Sequence, residues 1–290
     1  MQALPDITIP TSSIPNCGTT AFVCIGETGN IYAAYLRGLF DNYVAEVADD
    51  TNLNELWNLV RDTTEYNKSD ICVCGDAADP NLLEVVVKLA DFVNSHDFDT
   101  ITVQAPPRVT VICIYTETLD LLPFCQLSVS GRINLLLPEK LHLTEWSCND
   151  TIYKNIVSFS LLADMLNRRS TMSFTPARDT ILSNLNYPLV ICKTLDITEE
   201  CDDNLITQTI MALHTDLSRT MHIGNVVILF RFPSENEITK SLGSAFQKRV
   251  KLLLSDLNIN KYTHAIEILD DDASVQIVLF FGSSIIWNNL

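Results

Sequence analysis

Short runs of apolar residues recur along the first half of the chain, and most are followed by a stretch with helical spacing. Strands are predicted at Phe22–Ile25, Tyr43–Val47, Ile71–Cys74, Val109–Tyr115 and Ile133–Leu137. Helices are predicted to open at Ile31–Leu36 and to cover Asn52–Arg61 and Leu82–Phe92. Because strands alternate with helices, we expect an α/β domain with a mostly parallel, Rossmann-like sheet and helices on both faces.

A different pattern begins at the long helix predicted over Thr151–Arg168, where apolar residues recur every three or four positions. A loop over Ser173–Ser183 is predicted to enter a short helix. Later helices are predicted at Asn204–Met221 and Glu235–Leu254, and later strands at Pro188–Leu195, Val226–Phe230, His264–Leu269 and Ser274–Phe281. Asp270-Asp271-Asp272-Ala273 joins the last two strands, which predicts an antiparallel hairpin with an acidic tip and a smaller α+β domain with a mixed sheet.

These patterns divide the chain into four predicted segments. Residues 1–20 contain three prolines among Thr and Ser and are expected to form an extended N-terminal arm. Residues 21–150 form the α/β domain, residues 151–170 a central helix, and residues 171–290 the C-terminal α+β domain. The arm is expected to lie across a neighbouring subunit.

Composition and charge narrow the classes of partner. The 290 residues are 47% hydrophobic and 19% charged, which is typical of a folded globular protein. Acidic side chains outnumber basic ones by 36 to 19, and the net charge of −17 argues against nucleic acid or an anionic membrane as the main partner. A second copy of the chain or another, basic protein fits better. No apolar run has the length of a membrane helix and no signal peptide is recognisable, so a cytoplasmic protein is expected.

The first strand-to-helix junction is a candidate phosphate site. Gly26-Glu27-Thr28-Gly29-Asn30 follows the strand, and Gly26 and Gly29 permit a tight turn before a helix start that offers unpaired N–H groups to an anion. The alternative interpretation is that the glycines only end the strand.

Read together, these features resemble the tubulin/FtsZ superfamily, in register over Phe22–Gly282. The stretch 26–31 is similar to the first nucleotide loop of tubulins, where Asn30 matches an asparagine that contacts guanine. The run 134–141 resembles the strand and ribose loop of FtsZ, with Pro138 in the loop. The run 147–153 resembles the start of the central helix, and the resemblance makes three residues candidates for contact with the base, namely Asn149, Asp150 and Tyr153.

The loop after the second buried strand departs from that family. Where the family has a glycine-rich phosphate loop, this chain has Gly75-Asp76-Ala77-Ala78-Asp79-Pro80. One glycine, two carboxylates and a proline without an N–H are expected to disfavour a triphosphate, unless Mg²⁺ lies between the carboxylates and the phosphates of GTP. Beyond the central helix, only Asp179 lies near the family's catalytic position. The resemblance therefore implies weak or absent GTP hydrolysis.

Other chemistry has less support in the residue spacing. Cys72 and Cys74 share one face of a strand, but no second pair or histidine cluster accompanies them, so packing is preferred over a metal site. The five histidines lie far apart and outside any recognised nucleophile motif. The acidic runs 199–203 and 270–272 are expected to be solvated, with a docking surface and a calcium site as their respective alternatives.

Three functions remain open from the sequence. The first is a divergent tubulin/FtsZ-like scaffold that self-associates without efficient GTP hydrolysis. The second is an active GTP-binding filament former of the compact bacteriophage type, and the third is an unrelated α/β binding module. For the first, head-to-tail stacking would place Arg178 of one copy against Asp76 and Asp79 of the next, so that an ion pair replaces the nucleotide as the bridge.

Overall fold

A computed structural model gives the fold as two five-stranded sheets with helices packed against them. It describes residues 20–39, 45–48, 70–95, 108–141, 148–167, 172–174, 181, 185, 187–197, 207, 211, 221–232, 237–259, 261–268 and 275–285. The N-terminal arm and the helix predicted at Asn52–Arg61 lie outside these residues, as does most of the helix predicted at Asn204–Met221.

The first sheet is parallel throughout, as predicted. Its strands lie in the order β2-β1-β3-β4-β5. The strands are β1 (Thr20–Ile25), β2 (Ala45–Ala48), β3 (Asp70–Asp76), β4 (Arg108–Tyr115) and β5 (Leu135–Lys140). The helices of this half are α1 (Gly26–Leu39), α2 (Pro80–Ser95) and α3 (Leu122–Val129), with a 3₁₀ turn at Thr118–Leu121 before α3. The sequence interpretation missed both the 3₁₀ turn and α3.

Helices cover both faces of this sheet because its strands are apolar on both sides. Side chains that alternate along β1, β3 and β4 point into two separate apolar clusters, so that Val23 lies in one cluster and Phe22 in the other. The first cluster includes residues of α2 and α3, and the second includes residues of α1 and of the long helix α4 (Cys148–Asn167). This layered arrangement confirms the predicted α/β class.

The predicted turn between β1 and α1 is wrong. Helix α1 begins at Gly26, immediately after Ile25, so that Gly29 and Asn30 belong to its first turn. Gly26 has a φ of +70°, a backbone conformation that other residues rarely adopt, and this one residue redirects the chain from strand to helix. A separate loop is therefore unnecessary.

Two strands extend further than predicted toward the same edge of the sheet. Gly75 and Asp76 belong to β3, where they pair with Cys113 and Ile114 of β4. Pro138, expected in a loop, lies within β5. A proline has no N–H to donate, but β5 is an edge strand of this sheet, where a residue without a ladder donor is tolerated.

The second sheet is mixed, as predicted, but its last two strands do not form a hairpin. The strands are β6 (Met172–Phe174), β7 (Leu189–Ile197), β8 (Met221–Phe232), β9 (Tyr262–Ile268) and β10 (Val275–Ile285), with helix α5 (Glu237–Asp256) between β8 and β9. Their order is β6-β9-β8-β10-β7, so β8 separates β9 from β10. Strand β8 is parallel to β9 and antiparallel to β10.

The apolar character of β8 explains this arrangement. Residues 226–230 of β8 are fully buried, and their side chains divide between the two apolar clusters on opposite faces. A strand covered on both faces suits the centre of a sheet. Two further details differ from prediction: Met221 begins β8 rather than ending a helix, and Met172–Phe174 is a strand that pairs with β9 rather than part of a loop.

Helix α4 lies between the two sheets. Ile152, Ile156, Phe159 and Leu162 are buried at helical spacing, and they belong to a cluster that also holds Phe22 of β1 and side chains of β7, β8 and β10. The Phe22 and Phe159 rings meet edge to face with centroids 5.8 Å apart. The long helix predicted from Thr151 is thus a central helix, and it begins three residues earlier, at Cys148.

Candidate functional site

The carboxyl ends of β1, β3, β4 and β5 meet at one edge of the first sheet, which we call the carboxyl edge. Parallel α/β sheets bind ligands at this edge. The loop Ala77–Asp79 joins β3 to α2 there. The start of α4 lies close enough for Asp76 to act on Cys148: the pKa of the Cys148 thiol is raised by burial and, to a smaller extent, by the charge of Asp76. The fold therefore brings most of the predicted site residues to one place.

The loop after β3 satisfies its own backbone. The N–H of Ala77 donates to the Ile114 carbonyl at 2.9 Å, and the N–H of Asp79 donates to the Asp76 carbonyl at 3.0 Å. The Asp76 carboxylate accepts the N–H of Ala78 at 3.0 Å. These bonds use every N–H of the loop before the helix begins.

Asp79 accepts the backbone N–H groups of the first turn of α2. Its carboxylate accepts the N–H of Asn81 at 2.9 Å, as an N-cap does, and its carbonyl accepts the N–H of Leu82 at 3.1 Å. Pro80 between them has no N–H. Every backbone N–H from Ala77 to Leu82 therefore donates to an oxygen of this chain, and a phosphate would have to displace one of those oxygens.

The Asp79 carboxylate also lies against the start of α1. A side chain placed on Gly26 would run into the Asp79 carboxylate. Two helix starts, α1 at Gly26 and α2 at Pro80, thus meet at one carboxylate. Helix starts carry partial positive charge, so this position suits an anion, and the chain supplies the anion itself.

Packing within the chain accounts for the other two predicted glycines. A Cβ on Gly29 would lie 2.7 Å from the carbonyl carbon of Cys24, so α1 approaches β1 too closely for a side chain. A Cβ on Gly75 would lie 3.1 Å from the Leu82 side chain and 3.2 Å from the carbonyl oxygen of Ile25. These glycines are explained without a ligand.

The start of α4 carries the predicted base-contacting residues beside a tyrosine of α1. The rings of Tyr153 and Tyr35 are tilted by 45° with centroids 6.1 Å apart. Burial, the charge of Asp150 and the Cys148 thiol raise the pKa of Tyr35. Tyr35 is 7% exposed, and its buried hydroxyl has no hydrogen-bond partner among the residues that the structure describes. Asn149 is half-buried and Asp150 is exposed.

A buried asparagine ties α4 to the first sheet. The Asn155 amide nitrogen donates to the Tyr32 hydroxyl of α1 at 2.8 Å and to the Cys113 carbonyl of β4 at 2.7 Å. Both donor hydrogens of the amide are therefore used. Burial raises the pKa of Tyr32 well above its usual range, which keeps the hydroxyl neutral. This node fixes α4 against the carboxyl edge.

A charged pair joins the two sheets. Glu139 of β5 is buried, and it accepts from the Lys193 ammonium of β7 at 3.2 Å. Lys154 of α4 lies near the pair: burial lowers the pKa of Lys154, and the charge of Glu139 opposes that shift. The carboxyl edge is thereby connected electrostatically to both α4 and the second sheet.

The sequence interpretation did not single out Tyr35, Glu139 or Asn155. Asn155 carries a usable signal, since it is a polar residue on the apolar stripe of a helix, three positions after Ile152. Glu139 directly follows an apolar strand, where a charge is expensive to bury without a partner. No signal identified Tyr35.

The positions of the remaining predicted site residues neither support nor exclude a bound ligand. Asn30 is exposed on the first turn of α1, and Pro138 is buried in β5. Arg178 and Asp179 lie outside the described residues. Within the described part of the chain, no three His, Cys, Asp or Glu side chains come together in a way that could hold a metal ion, and no helix is long and apolar enough to cross a membrane.

These observations bear on whether a guanine nucleotide fits the carboxyl edge. The aromatic and amide side chains at the start of α4 suit a base. The loop after β3 does not suit phosphates, because its amides are used and two carboxylates stand beside them. At about 4 Å and an effective dielectric of about 20, one carboxylate costs on the order of 4 kcal/mol against a phosphate charge.

Comparison with solved structures shows the tubulin/FtsZ fold. CetZ2 from Haloferax volcanii, solved as a protofilament with GTPγS, is 10% identical over 93% of this chain and 94% of its own, with a TM-score of 0.60. TubZ from Bacillus thuringiensis serovar israelensis, solved as GDP-form protofilaments, is 11% identical over 92% of this chain and 86% of its own, also with a TM-score of 0.60.

An FtsZ dimer from M. jannaschii is 9% identical over 92% of this chain and 88% of its own, with a TM-score of 0.53. No family's sequence profile and no curated protein sequence matches this chain. The fold is therefore shared across nearly the full length of these proteins, while the sequence identity to them is 9–11%.

Proposed function

We propose that this chain, whose fold is that of the tubulin/FtsZ proteins, is a cytoplasmic scaffold that self-associates without efficient GTP hydrolysis. The observation that carries the proposal is the closed hydrogen bonding of the loop after β3. Each N–H from Ala77 to Leu82 donates to the chain's own oxygens, and Asp76 and Asp79 supply all of the acceptors except the Ile114 carbonyl. A loop of this kind holds its shape without a phosphate.

Self-association is supported by the assembled state of the similar structures. TubZ and CetZ2 were solved as protofilaments, and the FtsZ structure is a dimer. Stacked subunits make a heterologous contact that propagates from copy to copy. If this chain assembles in the same manner, its assembly must be driven by protein contacts rather than by a bound triphosphate.

We propose that Arg178 supplies one such contact. In a head-to-tail stack it would meet Asp76 and Asp79 of the next copy. Each carboxylate accepts one backbone N–H in the structure, which leaves further lone pairs for a guanidinium. Asp179, on the same segment, is assigned no hydrolytic role in this proposal.

The test is sedimentation of the wild-type protein and Arg178→Glu without nucleotide across a series of salt concentrations. The expected result is association of the wild type that weakens as salt screens the ion pair, and loss of association in the variant. Arg132→Glu is the control, because Arg132 already pairs with Asp91 within the chain. Equal association of wild type and Arg178→Glu at every salt concentration contradicts the bridge.

The second candidate function is that of a GTP-binding filament former, and the start of α4 favours it. Within the described part of the chain, the buried Tyr35 hydroxyl has no hydrogen-bond partner, and it lies beside Tyr153 and Asp150. In this setting a base would find both an aromatic surface and polar atoms. In this case Gly26, Gly29, Asn30, Asn149 and Pro138 would surround GTP, and Mg²⁺ would separate its phosphates from Asp76 and Asp79.

Calorimetry with GTP, with and without Mg²⁺, separates the two candidates, and electron microscopy with and without GTP shows which state assembles. The first function predicts no saturable binding at high micromolar GTP and assembly that is indifferent to nucleotide. Saturable binding that needs Mg²⁺, together with GTP-dependent filaments, would establish the second function instead.

A further inference from the structure

A groove of ≈ 490 Å³ lies between α5 and the start of β9. Most of its lining surface is apolar, and the polar part includes two lysine ammonium groups. The lining residues are Gln247, Lys248, Lys251, Leu252, Ser255 and Tyr262. Lys248 and Lys251 are three residues apart on one helix and therefore lie on the same face. Leu252 beside them is 50% exposed.

The two lysines have no counter-charge in the part of the chain that the structure describes. Lys88 and Lys193 each pair with a carboxylate, but neither Lys248 nor Lys251 has an acid within ion-pair distance among the described residues. The pKa of His264, on β9, is lowered by burial and then by the charge of Lys251. The groove is thus a local positive site.

A positive groove stands out on this chain because acidic side chains outnumber basic ones by 36 to 19. A matching occupant needs carboxylates for the two ammonium groups and an apolar side chain for Leu252. The sequence contains such a segment in Leu269-Asp270-Asp271-Asp272, where one apolar residue precedes three acids. In sequence this run lies between β9 and β10, two strands that do not pair with each other.

We propose that the groove binds the Leu269–Asp272 segment of a second copy of this chain. The two features belong to opposite ends of β9, since Tyr262 begins the strand and Ile268 ends it. Six residue steps of about 3.3 Å separate these ends by about 20 Å. The chain re-enters the sheet at Val275, which the strand register places at the Ile268 end. Asp270 is two residues beyond Ile268 and Asp272 is three residues before Val275, so the acids of one copy reach no more than about 10 Å from that end and do not fill the groove of the same copy.

The contact is heterologous, because one end of the second sheet meets the other end of the sheet in the next copy. It names one surface for the self-association proposed above and rests on that proposal. It does not involve the carboxyl edge of the first sheet or Arg178. The two interfaces can therefore be tested separately.

The direct test is fluorescence anisotropy of a labelled peptide of residues 267–274 against dilute full-length protein. Saturable binding that weakens with salt is expected for the wild-type protein. Lys248→Glu/Lys251→Glu is expected to bind the peptide at least about tenfold more weakly, since two favourable charge pairs become repulsive. A peptide with the three aspartates replaced by asparagine is expected to lose binding similarly. Lys88→Glu is the control, because Lys88 of α2 pairs with Glu84 within the chain, and this variant should bind like the wild type.

Sedimentation of the same variants then identifies the source of the segment. If a second copy is the occupant, Lys248→Glu/Lys251→Glu weakens self-association and Lys88→Glu does not. Peptide binding that is absent, or equal for the wild type and the double variant, overturns the groove as the site. Peptide binding lost with self-association unchanged, or tighter binding of a hexaglutamate peptide than of the chain's own segment, overturns the second copy as the occupant. Arg178→Glu leaves peptide binding intact in every case.

Discussion

Replacing Asp79 tests whether the chain's own carboxylate excludes phosphates from the carboxyl edge. Asp79→Gly removes the charge that lies against Gly26 and frees the N–H of Asn81. Two opposing effects are expected. The helix loses an N-cap, and replacement of a capping side chain by glycine costs a few tenths of a kcal/mol. The repulsion of a phosphate group falls, which favours GTP.

The gain in affinity can be bounded from the geometry. A carboxylate about 4 Å from a phosphate charge costs up to about 4 kcal/mol at an effective dielectric of about 20. Asp79 is only half-buried, so solvent screening lowers this to about 1.4–2.7 kcal/mol, or a factor of about ten to a hundred in the dissociation constant. Isothermal titration calorimetry of the wild type and Asp79→Gly with GTP in excess Mg²⁺ measures this ratio of dissociation constants.

Asp120→Gly is the matched control for Asp79→Gly. The Asp120 carboxylate accepts the N–H of Glu117 at 3.2 Å at the start of the 3₁₀ turn, so its loss has a similar local cost at a different helical start. It should leave GTP affinity unchanged. If Asp79→Gly is folded, as judged by circular dichroism, and binds GTP no better than Asp120→Gly, then Asp79 is not what keeps phosphates out.

Three further predictions concern the contacts around this edge. Asn155→Ala removes both hydrogen bonds that Asn155 donates and should lower the free energy of unfolding by about 2–4 kcal/mol in urea titration. The control Asn149→Ala should change the free energy of unfolding by less than about 0.5 kcal/mol. Similar losses for the two variants would show that the hydrogen bonds of Asn155 do not stabilise the fold. A double-mutant cycle of Glu139→Gln and Lys193→Met should give a coupling of about 1–2 kcal/mol, and a coupling near zero would mean that the pair does not hold the sheets together. Burial raises the pKa of Cys125 and of Cys192 to about 12 each, above the ordinary thiol value, so the folded state keeps protons that the unfolded chain releases. The contribution of these thiols to stability should therefore be fully present below about pH 9 and be lost between about pH 9 and 12. In urea titrations across this pH range, Cys125→Ala/Cys192→Ala should reduce the loss of stability, and an unchanged loss would assign it to other groups.

The apolar pattern was sufficient to predict the architecture. Runs such as Ile71–Cys74 are buried on both faces, and a strand of that kind requires covering layers, which fixes the parallel sheet and its helices. The stripe from Ile152 to Leu162 likewise identified the central helix. These signals depend on local periodicity, which the sequence displays directly.

The pairing of the last strands did not follow from local signals. A short polar connection between two strands favours a hairpin, but that rule considers only the two strands it joins. Here β8, made some 30 residues before β9, is the better partner for both strands because it is apolar on both faces. Competition among distant partners is not visible in the connection itself.

The sequence identified which residues lie at the candidate site, but not how their hydrogen bonds are arranged. The carboxylates of Asp76 and Asp79 were identified from the sequence, but not their hydrogen bonds to Ala78 and Asn81. Residue types show which groups are present at a loop. Which amides remain available depends on backbone directions, which only a structure provides.

The order of strands in the second sheet has a consequence for how the protein is made. β6 pairs with β9, β7 pairs with β10, and β8 pairs with β9 and β10. Among the described residues of this sheet, β6, β7 and β8 are synthesised first, and none of these three strands pairs with another of the three. The sheet therefore cannot begin to form until β9 has been synthesised, and β7 must wait for β10 across some 80 residues of chain. During that interval the nascent chain carries unpaired apolar strands, so we expect this half of the protein to be prone to aggregation during synthesis.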